Sequence, residues 1–162
     1  MEGRQLSSQK DITVAVAAHK PYCMPNDKCY LPLHVGADLH PEVCLDMQQD
    51  NLGENISQKN ASYSELTGMY WLWKNCGSFY KGLVHYRRHF KTIDSSKAKS
   101  KNPFDLIACS EDFKEVFDST NSQVIVPKAR NYYIDTVEAH YRHTLPGEQL
   151  DATRAALNCY CP

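Results

Sequence analysis

Residues 12–18 read ITVAVAA. A run of small and β-branched side chains without polar alternation has no face to offer water. It suits a strand covered on both sides, the condition of a strand inside a parallel sheet. Parallel neighbours are joined by long crossovers, usually helical, so this one run points the chain towards an α/β architecture. It ends at His19-Lys20-Pro21, where proline stops the strand. No Gly-rich phosphate loop follows it.

The rest of the chain supplies partners for that strand. Residues 21–56 are broken by Pro21, Pro25, Pro32, Gly36, Pro41 and Gly53 and read as a long irregular excursion, packed over 30–36. A helix is expected across 57–76, with Ser62 as N-cap, Glu65 closing a capping box, and an apolar stripe of Tyr63, Leu66, Tyr70 and Trp73. Trp71 and Trp73 are assigned to the core. A strand follows over 80–86, then a polar loop over 94–102. Further strands are expected at 104–109 and 123–126, a short helix at 111–118, and helices at 132–142 and 148–160. Strands alternating with helices give a mostly parallel, Rossmann-type sheet flanked by helices. With 162 residues the chain has the length of one domain, assigned to 11–162 behind a frayed 1–10.

Composition removes several classes of function. The net charge of −1 is wrong for bulk nucleic-acid binding, so any anion site is local. No apolar run approaches the roughly 20 residues of a membrane span, and the N-terminus lacks a signal-peptide core, which makes a cytoplasmic protein the expectation. The seven cysteines include no CxxC pair and read as reduced thiols rather than a zinc site or disulfide framework.

The chemistry concentrates in FYKGLVHYRRHF, residues 79–90. As a strand it would put Leu83, His85, Arg87 and His89 on one face and Val84, Tyr86, Arg88 and Phe90 on the other. A strand that starts apolar and ends in cations suits the carboxyl edge of an α/β sheet, where ligands bind. Arginine forks match phosphate oxygens in pairs, so the expected guest is phosphorylated or nucleotide-linked. The same pattern also fits a surface strand whose charges face water.

Four strings, AAHK (17–20), YLPLHVG (30–36), NISQKN (55–60) running into ELTGMYWLWKN (65–75), and GLVHYRRHF (82–90), together resemble a bacterial family of capsular and exopolysaccharide biosynthesis proteins. That family, long described only as a domain of unknown function, looks like a GT-A-type glycosyltransferase. The later IVPK, RNYYI and YRH strings are similar to it as well. The resemblance implies transfer of a sugar from a nucleotide donor, UDP-linked and in some members a galactofuranose, to a growing capsular, exopolysaccharide or lipopolysaccharide glycan. It implies a nucleotide sugar and a glycan or lipid-linked glycan as partners, no nucleic acid, and work at the inner face of the membrane. Family domains usually run further than this chain, so a C-terminally truncated, non-catalytic binding module is the alternative reading.

Carried onto this sequence, the expected donor contacts are His19, Asn55, Lys59, Asn60, Glu65, His85, Arg87, Arg88, Arg130 and Tyr133. Lys59 and Asn60 would lie at a helix start, where free N–H groups favour phosphate. No Asp-x-Asp pair for a donor-bound divalent metal occurs, and Glu111-Asp112 reads as a helix cap. No metal ligand is therefore assigned, although weak use of a divalent metal stays open; His85, Arg87 and Arg88 would steady the departing diphosphate instead. The acceptor hydroxyl needs a base, and Asp135 and His143 are the residues available.

Overall fold

The computed structural model describes residues 11–129 and 131–161, which fall into two units divided between Gln123 and Val124. Four strands build the first unit: β1 (Ile12–Ala18), β2 (Tyr30–His34), β3 (Gln48–Gln49) and β4 (Tyr80–His85). They form one sheet in the order β3-β2-β1-β4, and every pairing is parallel. The ITVAVAA run is the inner strand that its composition demanded, with Val14 to Ala18 at most 3% exposed.

One face of the sheet is covered by a helix, α2 (Leu66–Asn75), through a cluster of Ala15, Ala17, Leu33, Val35, Trp71 and Leu72. The other face meets α3 (Ser110–Thr120) and the segment before it. There Tyr80 stacks on Phe117 at 3.8 Å, and the Tyr30 hydroxyl donates to the Ala108 carbonyl at 2.6 Å. Asp112 caps α3, accepting the Cys109 N–H at 2.8 Å, as expected of Glu111-Asp112.

The expected helix over 57–76 is interrupted. A 3-10 turn (Ser57–Lys59) leads into a four-residue α1 (Asn60–Tyr63), Ser64 takes φ +47°, and α2 starts afresh. Ser62 is therefore inside α1, and Glu65 is the N-cap of α2 with no side-chain capping bond. The expected apolar stripe faces water: Tyr63, Leu66 and Trp73 are all exposed, while Thr67, Gly68, Trp71 and Leu72 are buried. The reason is Gly68. A Cβ there would sit 2.9 Å from Val35 Cγ1 and 3.0 Å from Leu33 Cδ2, so the face of α2 that carries Gly68 lies against the sheet, with Trp71 and Leu72 beside it. Backbone approach decides the rotation, and side-chain size does not.

Other expectations also give way. Residues 104–109 form a 3-10 turn (Pro103–Leu106) and one antiparallel bridge, Lys91 to Ile107, rather than a strand. Residues 123–126 form no strand. The polar 94–102 segment holds a 3-10 turn (Ser95–Lys99) whose first N–H groups are taken by Asp94. In the second unit, α4 (Val137–Thr144) starts five residues later than expected because Thr136 caps it, accepting the Ala139 N–H at 3.0 Å. Helix α5 (Glu148–Tyr160) keeps its expected bounds. Arg142 joins α4 to α5 by reaching Glu138 at 2.9 Å and Asp151 at 2.6 Å.

A buried carboxylate locks the loops of the first unit together. Asp50 is fully buried and accepts four hydrogen bonds: from the Gly36 and Ala37 N–H groups at 2.9 and 3.1 Å, and from the Ser57 and Thr67 hydroxyls at 2.6 Å each. Removing it leaves these donors without their acceptor, and a single unpaired buried group costs about 1–3 kcal/mol. Asp50→Ala is expected to lower stability by more than about 3 kcal/mol, measured by urea unfolding; a loss below about 1 kcal/mol would show that the loops hold without it.

His34 is 1% exposed, and neither ring nitrogen has a hydrogen-bond partner among the described residues. Burial pushes its pKa below the ordinary 6.5, against the smaller opposing pull of Asp50. The folded form thus binds this proton less readily than the unfolded chain, so stability is held above about pH 6.5 and falls as the pH drops below it. His34→Leu should flatten the fall in melting temperature between about pH 7 and pH 5. An unchanged slope would assign the acid sensitivity to other groups.

Candidate functional site

In an all-parallel sheet every strand ends at the same edge. Here that edge collects His19 after β1, the Val35–Gly36 turn after β2 and the His85–Arg88 turn after β4. The cationic stretch does not run on as a strand. β4 stops at His85, and the Arg88 N–H donates to the His85 carbonyl at 2.8 Å, closing a reverse turn. Strand alternation therefore no longer separates Arg87 from Arg88. Both are exposed and both line one cavity of about 400 Å³ with Glu65, Leu83, Val84 and His85. Among the described residues, neither guanidinium lies within 4.0 Å of a carboxylate.

His85 sits between these cations and an acid. Its Nδ1 accepts the Arg87 N–H at 3.2 Å, which leaves the proton of the neutral ring on Nε2, 3.8 Å from Glu65 Oε1. Desolvation lowers the His85 pKa; Glu65 pulls the other way, and Arg87 adds to the lowering. Near neutral pH the ring is thus an uncharged N–H donor, and the positive charge at this point belongs to the two arginines.

Glu65 also lines a second cavity, of about 330 Å³, with His19, Val35, His40, Asn60 and Ser64. Asn60 is held there by its own amide, which donates to the Ser64 carbonyl at 2.7 Å and the Thr67 hydroxyl at 3.0 Å. Gly36 is required beside it: its φ is +72°, and a Cβ would meet Asn60 Cγ at 2.7 Å. Six of the residues expected from sequence, His19, Asn60, Glu65, His85, Arg87 and Arg88, are thereby gathered on one rim.

Others are not. The Asn55 amide is used inside its own loop, donating to the Asn51 and Gly53 carbonyls and accepting the Ser57 N–H. Lys59 is exposed and precedes a helix of only four residues, so the helix-dipole argument for it does not hold. Arg130 lies outside the described residues. Tyr133, 91% exposed, belongs to the second unit, as do Asp135 and His143, which pair with each other at 3.3 Å.

The aromatic centre of the rim was missed. Tyr86 is 2% exposed, as the apolar face of the strand suggested, yet its ring is where the site's polar groups meet. Its centroid lies 5.4 Å from His19, 4.9 Å from Tyr22 and 4.2 Å from His85, and the Arg87 guanidinium sits 5.2 Å above it. The signal available in sequence was the HYRR string itself, where one aromatic ring separates an imidazole from two guanidiniums.

Ser64 holds the strained backbone of the rim, at φ +47° and ψ −132°. Such a conformation costs a non-glycine residue about 1–3 kcal/mol. Ser64→Gly should relieve it and, after the added freedom of the unfolded chain, raise stability by on the order of 1 kcal/mol. A melting curve checks this; destabilisation would mean that the serine side chain outweighs the strain.

Comparison with known proteins adds an independent view of this arrangement. A family model described as "Domain of unknown function (DUF4422)" matches residues 13–162. Among solved structures, the chain is similar to the apo form of the WbbM bifunctional glycosyltransferase, with a TM-score of 0.69 and 26% identity over 94% of this chain. It spans 30% of that structure's chain. No curated protein matches it. The α/β architecture expected from the sequence is thus glycosyltransferase-like in its sheet and flanking helices.

Proposed function

The chain belongs to the DUF4422 family, and from that premise together with the geometry of the rim we propose that it is the donor-binding domain of a glycosyltransferase. The donor is a nucleotide sugar, UDP-linked and carrying galactofuranose in its natural form, and the acceptor is a growing surface glycan, capsular, exopolysaccharide or lipopolysaccharide. The observation that carries this reading is the cavity where Arg87 and Arg88, without carboxylate partners among the described residues, stand beside the His85 N–H at the carboxyl edge of a parallel sheet. An anion with several oxygens satisfies all three donors at once.

In the transfer, the bond from the anomeric carbon to the diphosphate oxygen breaks, and its electron pair leaves with the diphosphate. A bond from that carbon to an acceptor oxygen forms, and a base takes the hydroxyl proton. Arg87, Arg88 and His85 meet the charge that develops on the leaving oxygen. His19 and Asn60, across Glu65, face the nucleoside end. No helix among the described residues is long and apolar enough to cross a membrane, which fits work at the cytoplasmic surface of one.

The direct test is a thermal-shift screen of UDP-, GDP- and dTDP-sugars with and without EDTA, since a ligand that binds only the folded state must stabilise it. A shift with a UDP-sugar that survives chelation is expected. No shift with any nucleotide sugar overturns the reading, and donor binding without glycosidic product under turnover conditions would favour a binding module.

Arg87→Lys separates fork geometry from charge. Lysine keeps the charge and loses the paired contact, and a charge-assisted hydrogen bond is worth about 1.5–3 kcal/mol. UDP-sugar affinity should fall about ten- to hundredfold with the melting temperature of the free protein nearly unchanged. Calorimetric titration of Arg87→Lys and Arg88→Lys checks both arginines of the turn; unaltered affinity in both would return this turn to the solvent.

A further inference from the structure

Arg87 lines a third cavity as well, of about 340 Å³, and this one is built differently. Its walls include the rings of Tyr22, Tyr86, Phe90 and Phe104, with His89 and Lys91 among them. Two polar groups on these walls are unspent. Tyr86 is 2% exposed as a whole residue, and its hydroxyl, which still reaches solvent, makes no hydrogen bond to any described residue. His89 Nδ1 is buried without a partner, while its Nε2 lies 3.4 Å from the Tyr86 carbonyl. Buried polar groups are normally paired. One such nitrogen left open beside the unpaired Tyr86 hydroxyl, on aromatic walls with cations at hand, marks a place for a guest that has apolar faces and hydroxyl edges.

The three cavities form a series. The one with His19, His40 and Asn60 shares Glu65 with the one holding Arg88, and that one shares Arg87 with the aromatic one. A nucleotide sugar has the same order of parts: nucleoside, diphosphate, glycosyl ring. Resting on the nucleotide-sugar reading above, we infer that the aromatic cavity holds the glycosyl ring of the donor, gripped by Tyr86 Oη and His89 Nδ1 and stacked on the neighbouring rings. The ring is bonded directly to the diphosphate, so it must lie in a cavity adjoining the one that holds the phosphates; Arg87 supplies that junction. The volume is at the lower end of the range for ligand cavities, about 300–1,000 Å³, which suits one sugar ring rather than a glycan chain. The assignment also explains why HYRR carries a tyrosine between its imidazole and its guanidiniums: the same turn meets phosphate with Arg87 and sugar with Tyr86.

The test compares UDP with UDP-galactose by calorimetry on the wild-type chain and on Tyr86→Phe and Phe104→Ala, each with a melting curve. Tyr86→Phe keeps the ring and removes only the hydroxyl. Both substitutions are expected to weaken UDP-galactose about three- to tenfold, the loss of roughly one contact, and to leave UDP unchanged. Equal weakening of both ligands, or of neither, overturns the assignment. So does a third result, in which only methyl β-galactoside, titrated in the presence of saturating UDP, responds to the substitutions; that would make this the acceptor's pocket. If the wild-type chain binds neither nucleotide, the nucleotide-sugar reading itself fails. Saturation-transfer NMR with methyl β-galactoside alone then decides the ring pocket: transfer that Phe104→Ala abolishes upholds it, and no transfer overturns it.

Discussion

The Asp50 carboxylate is the interaction on which the first unit depends. Among the described residues no cation pairs with it; two backbone N–H groups and two hydroxyls meet its oxygens. Those four donors come from three places far apart in sequence: the turn after β2, the 3-10 turn at Ser57 and the first turn of α2. A buried charge tolerates nothing less than full pairing. The loop that carries Asp50 therefore cannot settle until β2 and α2 are both in place. Through Thr67, which also accepts from Asn60, the same network extends to the rim of the candidate site.

The rim shows how an α/β sheet assembles chemistry from ordinary parts. β1 and β4 are adjacent and in register, Ala17 beside His85, so the residues that follow them emerge side by side. His19 and Tyr86 meet for that reason and not through any loop design. Helix α2 contributes Glu65 because its N-terminus points to the same edge, as crossover helices in parallel sheets do. The break at Ser64 then turns Glu65 towards His85, where a continuous helix would have left it as a capping residue.

Much of this could be read from residue order. ITVAVAA names an inner parallel strand because no other environment hides both of its faces. The HYRR cluster marks the carboxyl end of β4, the edge at which α/β sheets bind ligands, although the same cations in sequence fit a strand facing water equally well. What escaped the sequence depended on contacts between segments. The orientation of α2 is governed by Gly68 against Val35 and Leu33, a close approach that a hydrophobic stripe of Tyr63, Leu66 and Trp73 conceals. The helix break needs Ser64 in a conformation that serine rarely takes, so no propensity foretells it. Asp50 does not stand out within the irregular 21–56 stretch because its four donors are spread over some thirty positions of chain. Asn55 shares its motif with Asn60, yet one closes a loop and the other faces a cavity.

The parallel sheet has two ends, and they are not equivalent. At the amino end, Asp11 accepts the Phe79 N–H and Thr13 meets Ser78, contacts that serve only to align β1 with β4. At the carboxyl end the same two strands release His19 and the HYRR turn. A substitution in the turns at the carboxyl end can alter what the molecule recognises while the hydrogen-bonded ladder of Ile12 to Ala17 stays as it is. If the rim binds a donor as proposed, descendants of such a chain could trade one ligand for another by changing a few side chains beyond the strand ends, inheriting the scaffold unaltered. Around Gly36, Thr67 and Asn60, where the rim is tied to Asp50, a change of specificity would also have to contend with folding.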